Sequence, residues 1–243
     1  MAATTAHPSP LRYVACISYP RSGHHLTVRV LQQYFKHDFK YCQFYNSQEG
    51  NCCQSFPCTD ESVRMTKNHD MELNRPNAVG LQKQTEVPYL VLIRNFLEAV
   101  VSDYNLFLRR NEDTYDAWVG FSERKIQYYK KFMQKWVLED DGMEKQIIRY
   151  EKLTAEPVVQ FTRMIEFFHP PTPVDQSRLE SIINQAVLED VKPTGIDVIR
   201  NFGVKNRRKL QDFKHFDENH FTHLECELDK EFEGIGYTRR FAA

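Results

Sequence analysis

Neither sign of charge dominates this chain. Its 32 basic residues face 33 acidic ones, for a formal charge of -1, so no global field favours a nucleic acid or a membrane surface, and any anion site must be local. Long hydrophobic runs are also missing. No window approaches the roughly 18 uninterrupted apolar residues of a membrane span, and the opening MAATTAHPSPLR lacks the basic start and apolar core of a secretory signal. The expectation is a soluble, cytoplasmic protein. Paired CxxC elements are absent too. Cys42, Cys52, Cys53 and Cys58 crowd into YCQFYNSQEGNCCQSFPC, but that spacing is not a zinc pattern, and adjacent Cys52 and Cys53 point awkwardly for shared ligation. Free thiols, a local disulfide and zinc all stay open there.

With 243 residues, 41% of them hydrophobic, the chain can bury one good core, and a single domain spanning 1–243 is expected, with 1–11 disordered. RYVACIS (Arg12 to Ser18) has the β-branched and aromatic content of a buried strand. PRSG then turns the chain, and the apolar spacing from His24 to Phe35 suits a helix. Phe39 to Asp60 reads as irregular. SVRMTKNH (Ser62 to His69) begins as a strand, and VPYLVLIR (Val87 to Arg94) is apolar enough for a central parallel strand covered on both faces. The following segment has helical periodicity with Asn95 as N-cap.

A further helix is expected over Ser122 to Leu138, a strand over Lys145 to Glu151, and a helix over Thr154 to Phe168 with Pro157 in its first turn. This order argues an α/β fold, a three-layer sandwich around a central, mainly parallel sheet. Ligands bind beyond the carboxyl ends of such strands. Here those ends are Ser18 to Gly23, Lys67 to His69, Arg94 to Asn95 and Tyr150 to Glu151.

A strand that delivers a short turn to a helix N-terminus offers unsatisfied N–H groups and the positive end of a helix dipole. In PRSGHHL, Gly23 lets the backbone approach an anion, and Arg21, Ser22, His24 and His25 add donors. GxxxxGK[ST], the nucleoside triphosphate version, needs a first glycine, a lysine and a metal-binding hydroxyl. All three are missing.

SYPRSGHHL resembles the 5′-phosphosulfate loop of sulfotransferases that use 3′-phosphoadenosine 5′-phosphosulfate (PAPS). Three further segments are similar to that family, in the same order. TKNH (Thr66 to His69) looks like its KTH segment, which implies Lys67 as a charge stabiliser and His69 as catalytic base. LIRNFLEAVVSDYN is similar to the 3′-phosphate segment, implying Arg94 and Ser102 as ligands. IIRYEKLTAEP looks like the YEDL strand end, which implies Tyr150 near the adenine. RRKLQDFKHFDENHFT resembles the family's basic closing segment, without its glycine and tryptophan, and implies Arg207, Arg208 and Lys209 as a group.

The resemblance implies a P-loop-like sulfotransferase fold that holds PAPS on Arg21, Ser22, Gly23, His24, His25 and Leu26 at one end and on Arg94 and Ser102 at the other. It also implies transfer to a hydroxyl, or an amine, and because the sequence shows no membrane anchor the expected acceptor is a small metabolite or natural product. Adjacent histidines on a helix point about 100° apart and chelate poorly, so no metal is expected. Plainer readings stand beside these. Arg94 could pair with Glu98, Ser102 could bond its own backbone, and Tyr150 could simply pack. At the level of function, the alternatives are a divergent P-loop small-molecule kinase and an inactive PAPS-binding scaffold. Acceptor choice is expected in Tyr41 to Asp60, Arg109 to Trp136 and Gly195 to Lys209.

Overall fold

The computed structural model describes residues 11–43, 52–188 and 209–241. Five strands, β1 (Val14–Ser18), β2 (Lys40–Cys42), β3 (Val63–Asn68), β4 (Tyr89–Ile93) and β5 (Lys145–Arg149), form one sheet in the order β2-β3-β1-β4-β5. Every pairing is parallel. Because side chains alternate across a strand, β1 sends Val14 and Cys16 to one core and Ala15 and Ile17 to the other. β4 divides Leu90 and Leu92 from Tyr89, Val91 and Ile93 in the same way. Both faces are therefore buried, which is why these strands read as unbroken apolar runs.

Helices α1 (His24–Phe35), α5 (Pro157–Phe168) and α6 (Gln176–Leu188) cover one face. The other is covered by α2 (Phe96–Phe107), α3 (Tyr115–Met133), α7 (Glu218–Cys226) and α8 (Asp229–Ile235). The expected three-layer α/β sandwich is the observed one.

Several boundaries differ from expectation for identifiable reasons. α3 starts seven residues before Ser122, because Thr114 Oγ1 accepts the Ala117 N–H and caps a turn that brings Trp118 into the core. It closes in a wider π turn over Gln134–Leu138. β5 stops at Arg149, and Tyr150 opens a short helix, α4 (Tyr150–Ala155). The helix expected from Thr154 is broken at Glu156 (φ -131°), since the residue before a proline is pushed out of the helical region. Strand β2 lies inside the segment expected to be irregular. Three residues carry no periodicity, and only pairing with β3 creates the strand. Leu11, expected in a disordered start, is buried, and the neighbouring Arg12 N–H donates to Phe168 O at 3.0 Å.

The chain places β2 and β3 on one side of β1, and β4 and β5 on the other. The carboxyl end of β1 is thus the topological switch point, where open α/β sheets bind ligands. Among the described residues no helix is long and apolar enough to cross a membrane.

Candidate functional site

β1 ends at Ser18, and a short turn separates it from α1. Ser22 N–H turns back to Tyr19 O at 3.3 Å, while Arg21 (φ 68°) and Gly23 (φ 86°) both adopt the left-handed region. For arginine that conformation costs on the order of 1 kcal/mol or more. Gly23 is held there by space as well as by angle. A Cβ at this position would stand 2.7 Å from the Tyr150 ring. No side chain caps the start of α1, so the first-turn N–H groups of His24, His25 and Leu26 keep their capacity for an anion. Ser22 Oγ is buried and has no hydrogen-bond partner. A buried orphan hydroxyl is costly, and its place in this loop suits an anionic oxygen.

β3, the neighbour of β1, presents Lys67 and then His69 at its carboxyl end. His69 Nδ1 lies 2.6 Å from Ser18 O and 3.1 Å from Ser18 Oγ. A carbonyl can only accept, so Nδ1 carries the proton and the Nε2 lone pair is left for chemistry. Tyr128 on α3 donates to the His69 carbonyl, fixing the backbone beneath the ring. Burial, reinforced by Lys67, pushes the His69 pKa down to about 3, so the imidazole is neutral. Burial also lowers Lys67, with Arg21 adding to the effect. Arg21 is lowered by burial as well, and Arg94 contributes, although Asp103 opposes it. These cations disfavour one another's charge, which an incoming anion would relieve.

His24 is buried, with Nε2 2.8 Å from Tyr41 OH and Nδ1 3.5 Å from Cys16 Sγ. Burial, followed by Lys67 and His69, holds its pKa well below the usual histidine range. Both of its ring nitrogens are thus engaged by β1 and β2, whereas His25 is exposed.

β4 leads into Arg94. Its guanidinium pairs with Glu98 at 3.2 Å, donates to Arg21 O at 3.2 Å and lies 4.3 Å from the centre of the Tyr150 ring. The Glu98 partner foreseen as the plainer reading is therefore real. It does not isolate Arg94, because the same guanidinium reaches the loop backbone. Ser102 accepts from Arg21 Nε at 2.9 Å, which joins two residues expected at opposite ends of a donor. Tyr150 packs between Arg94 and Gly23. Its neighbour Glu151 accepts the Asn95 N–H at 2.8 Å and the Tyr237 hydroxyl at 2.6 Å, locking the ends of β4 and β5 together.

Arg207 and Arg208 lie outside the described residues. Lys209 is exposed at the start of a single 3-10 turn, Leu210–Asp212. Sequence reasoning overlooked several residues that complete the site. Ser18 orients His69, Tyr41 engages His24, and Arg240 shares Glu98 with Arg94 at 2.9 Å. The Asp103–Lys125 ion pair at 2.7 Å joins α2 to α3, and its two charges act on Arg21 and His69. Each is brought in by tertiary contact from a segment without a local signature. Ser18 is the exception, already legible as the carboxyl end of β1, and only its bond to His69 was missed.

Two of the comparisons with known proteins found matches. Residues 12–225 match the family described as the Sulfotransferase domain. Among solved structures, the fold is similar to that of mouse sulfotransferase SULT7A1 complexed with PAP, with a TM-score of 0.63 and 15% identity over 95% of this chain and 88% of that one. It is also similar to the sulfotransferase domain from the Synechococcus PCC 7002 olefin synthase, with a TM-score of 0.50 and 12% identity over 98% of this chain and 99% of that one. No curated protein sequence matches significantly. The family match spans most of the chain and the fold agrees with it, so this protein belongs to the sulfotransferase family.

Proposed function

We propose that this sulfotransferase moves the sulfuryl group of PAPS to a hydroxyl, or an amine, of a small-molecule acceptor, with His69 as general base. One observation carries the reading. Arg21, Lys67 and a neutral His69 converge on the uncapped start of α1, beside the orphaned Ser22 hydroxyl. That donor set fits a phosphosulfate. The Ser22 hydroxyl and the amides of Gly23 to Leu26 would bind its oxygens, and Arg21 would add a planar, permanently charged fork. Arg94, Ser102 and the basic segment Arg207 to Lys209 would hold the 3′-phosphate, with Tyr150 packed against the nucleotide.

The chemistry follows from charge flow. PAPS supplies an activated sulfuryl group, and the protein must remove a proton from the acceptor and stabilise negative charge on the leaving phosphate oxygen. His69 Nε2 takes the proton, since Nδ1 is committed to Ser18 O. Lys67, Arg21 and the loop amides stabilise the leaving oxygen, and being already in position they need little reorganisation. His24 serves through its backbone N–H, its ring being engaged by Tyr41 and Cys16.

The test is an acceptor screen with PAPS that reads release of 3′-phosphoadenosine 5′-phosphate. His69→Ala should lower turnover by ~10²-fold or more while leaving binding of that product nearly intact. Unchanged turnover would remove His69 from the base role. Product binding without transfer to any acceptor would favour the scaffold reading. Magnesium-dependent ATP turnover would favour the kinase.

A further inference from the structure

Four thiols that this chemistry does not use lie together at the β2 edge of the sheet. Cys42, the last residue of β2, has its Sγ 3.8 Å from that of Cys52, and the Sγ atoms of Cys53 and Cys58 are 3.5 Å apart. Cys42 also contacts Cys58, so the four sulfurs form a chain Cys52–Cys42–Cys58–Cys53 in which Cys53 and Cys58 are closer together than Cys42 and Cys52. Among the described residues no group of three ligand side chains is placed to hold a metal ion.

Cys53 differs in character from the thiols it neighbours. Cys53 is partly exposed, and hydrogen bonds with the Thr59 and Ser55 backbone pull its pKa down to about 6. Burial instead raises Cys42 to about 12 and raises Cys58 as well. A thiol in reach of solvent that ionises more readily than usual, in contact with a second thiol held protonated, is the arrangement of an attacking and a resolving cysteine. Closing the pair from 3.5 Å to a disulfide bond takes a movement of only about 1.5 Å. Cys58 is anchored for this by its own N–H, which donates to Tyr13 OH at 3.1 Å.

We infer that Cys53 and Cys58 form a thiol–disulfide exchange site for small disulfides of the glutathione type. The Cys53 thiolate attacks one sulfur of the small disulfide, forming a mixed disulfide and expelling one thiolate, which takes a proton from water. Cys58 loses its proton, and its thiolate attacks Cys53 Sγ and expels the second small thiol. Two protein thiols are oxidised to one Cys53–Cys58 disulfide, and one small disulfide is reduced to two thiols. This site is independent of the sulfuryl-transfer reading.

The test treats the full chain with glutathione disulfide, followed by alkylation and peptide mass mapping. The untreated protein should yield all four thiols alkylated, and the treated protein a Cys53–Cys58 disulfide. Cys58→Ser should stop at a glutathionyl group on Cys53, and Cys53→Ser should form neither species at this pair. A disulfide linking Cys53 to Cys42 or Cys52 would overturn the assignment, as would a mixed disulfide in the unsubstituted chain that never resolves. Purified protein carrying stoichiometric zinc, with the four thiols unreactive, would overturn it too.

Discussion

At the scale of single residues, the site gathers buried basic groups that disfavour one another's charge. His69 shows the consequence for pH. Its folded pKa of about 3 lies below the ordinary 6.5, so between those values the unfolded chain binds a proton that the folded chain refuses. Stability is therefore complete above about pH 6.5 and declines as the pH falls toward about 3, losing at most ~1.4 kcal/mol for each pH unit crossed. His24, held low in the same direction by burial, adds to the slope. Urea unfolding at a series of pH values should show His69→Asn with a shallower acid decline than the unsubstituted chain. An identical slope would mean that His69 is not held neutral. Arg94 is tested by ligand rather than by pH. Arg94→Ala should weaken binding of 3′-phosphoadenosine 5′-phosphate far more than that of its analogue lacking the 3′-phosphate, by calorimetry. Equal losses would reduce Arg94 to its structural contacts with Glu98 and the Arg21 carbonyl.

Among the elements, the strand-turn-helix unit β1 to α1 does most to define the site, and its glycine is the weak point. Gly23→Ala would bring a Cβ against the Tyr150 ring at a backbone angle that favours glycine. A loss of about 1–3 kcal/mol in stability is expected, together with weakened product binding, because the ring also supports Arg94. Thermal melting and a binding titration of the same variant check both effects. α1 begins and ends where its apolar spacing placed it, because the left-handed Gly23 and the positive-φ Lys36 bound the pattern on both sides. α3 and α5 were harder to place. A cap at Thr114 and the proline effect at Glu156 are local events that an apolar stripe averages over. β2 could not be read at all, since a three-residue strand has no periodicity and is made by pairing with the backbone of β3.

For the molecule as a whole, ligand binding and folding should be linked. The loop, Lys67, His69 and Arg94 stand at the ends of β1, β3 and β4, so a ligand that bridges them stabilises only the folded sheet. Saturation with 3′-phosphoadenosine 5′-phosphate at about a hundred times its Kd should add about 2.7 kcal/mol and raise the melting temperature. His69→Ala should keep that rise and Arg94→Ala should lose most of it, so scanning calorimetry separates a chemical role from a binding one.

The sequence by itself determined the layered α/β fold, because buried parallel strands must be apolar on both faces and their covering helices must be amphipathic. It also determined which residues stand at the strand ends, since the anion loop, KNH and the Arg94 segment are each contiguous in the chain. Only the tertiary structure decided how those residues meet. Arg21 bonds Ser102, Arg94 is shared between Glu98 and the loop carbonyl, and His24 turns to Tyr41 while Ser18 commits His69 Nδ1. The physical reason is that hydrogen bonds and charge pairs between distant segments depend on strand order and register. Those features leave no trace in local periodicity.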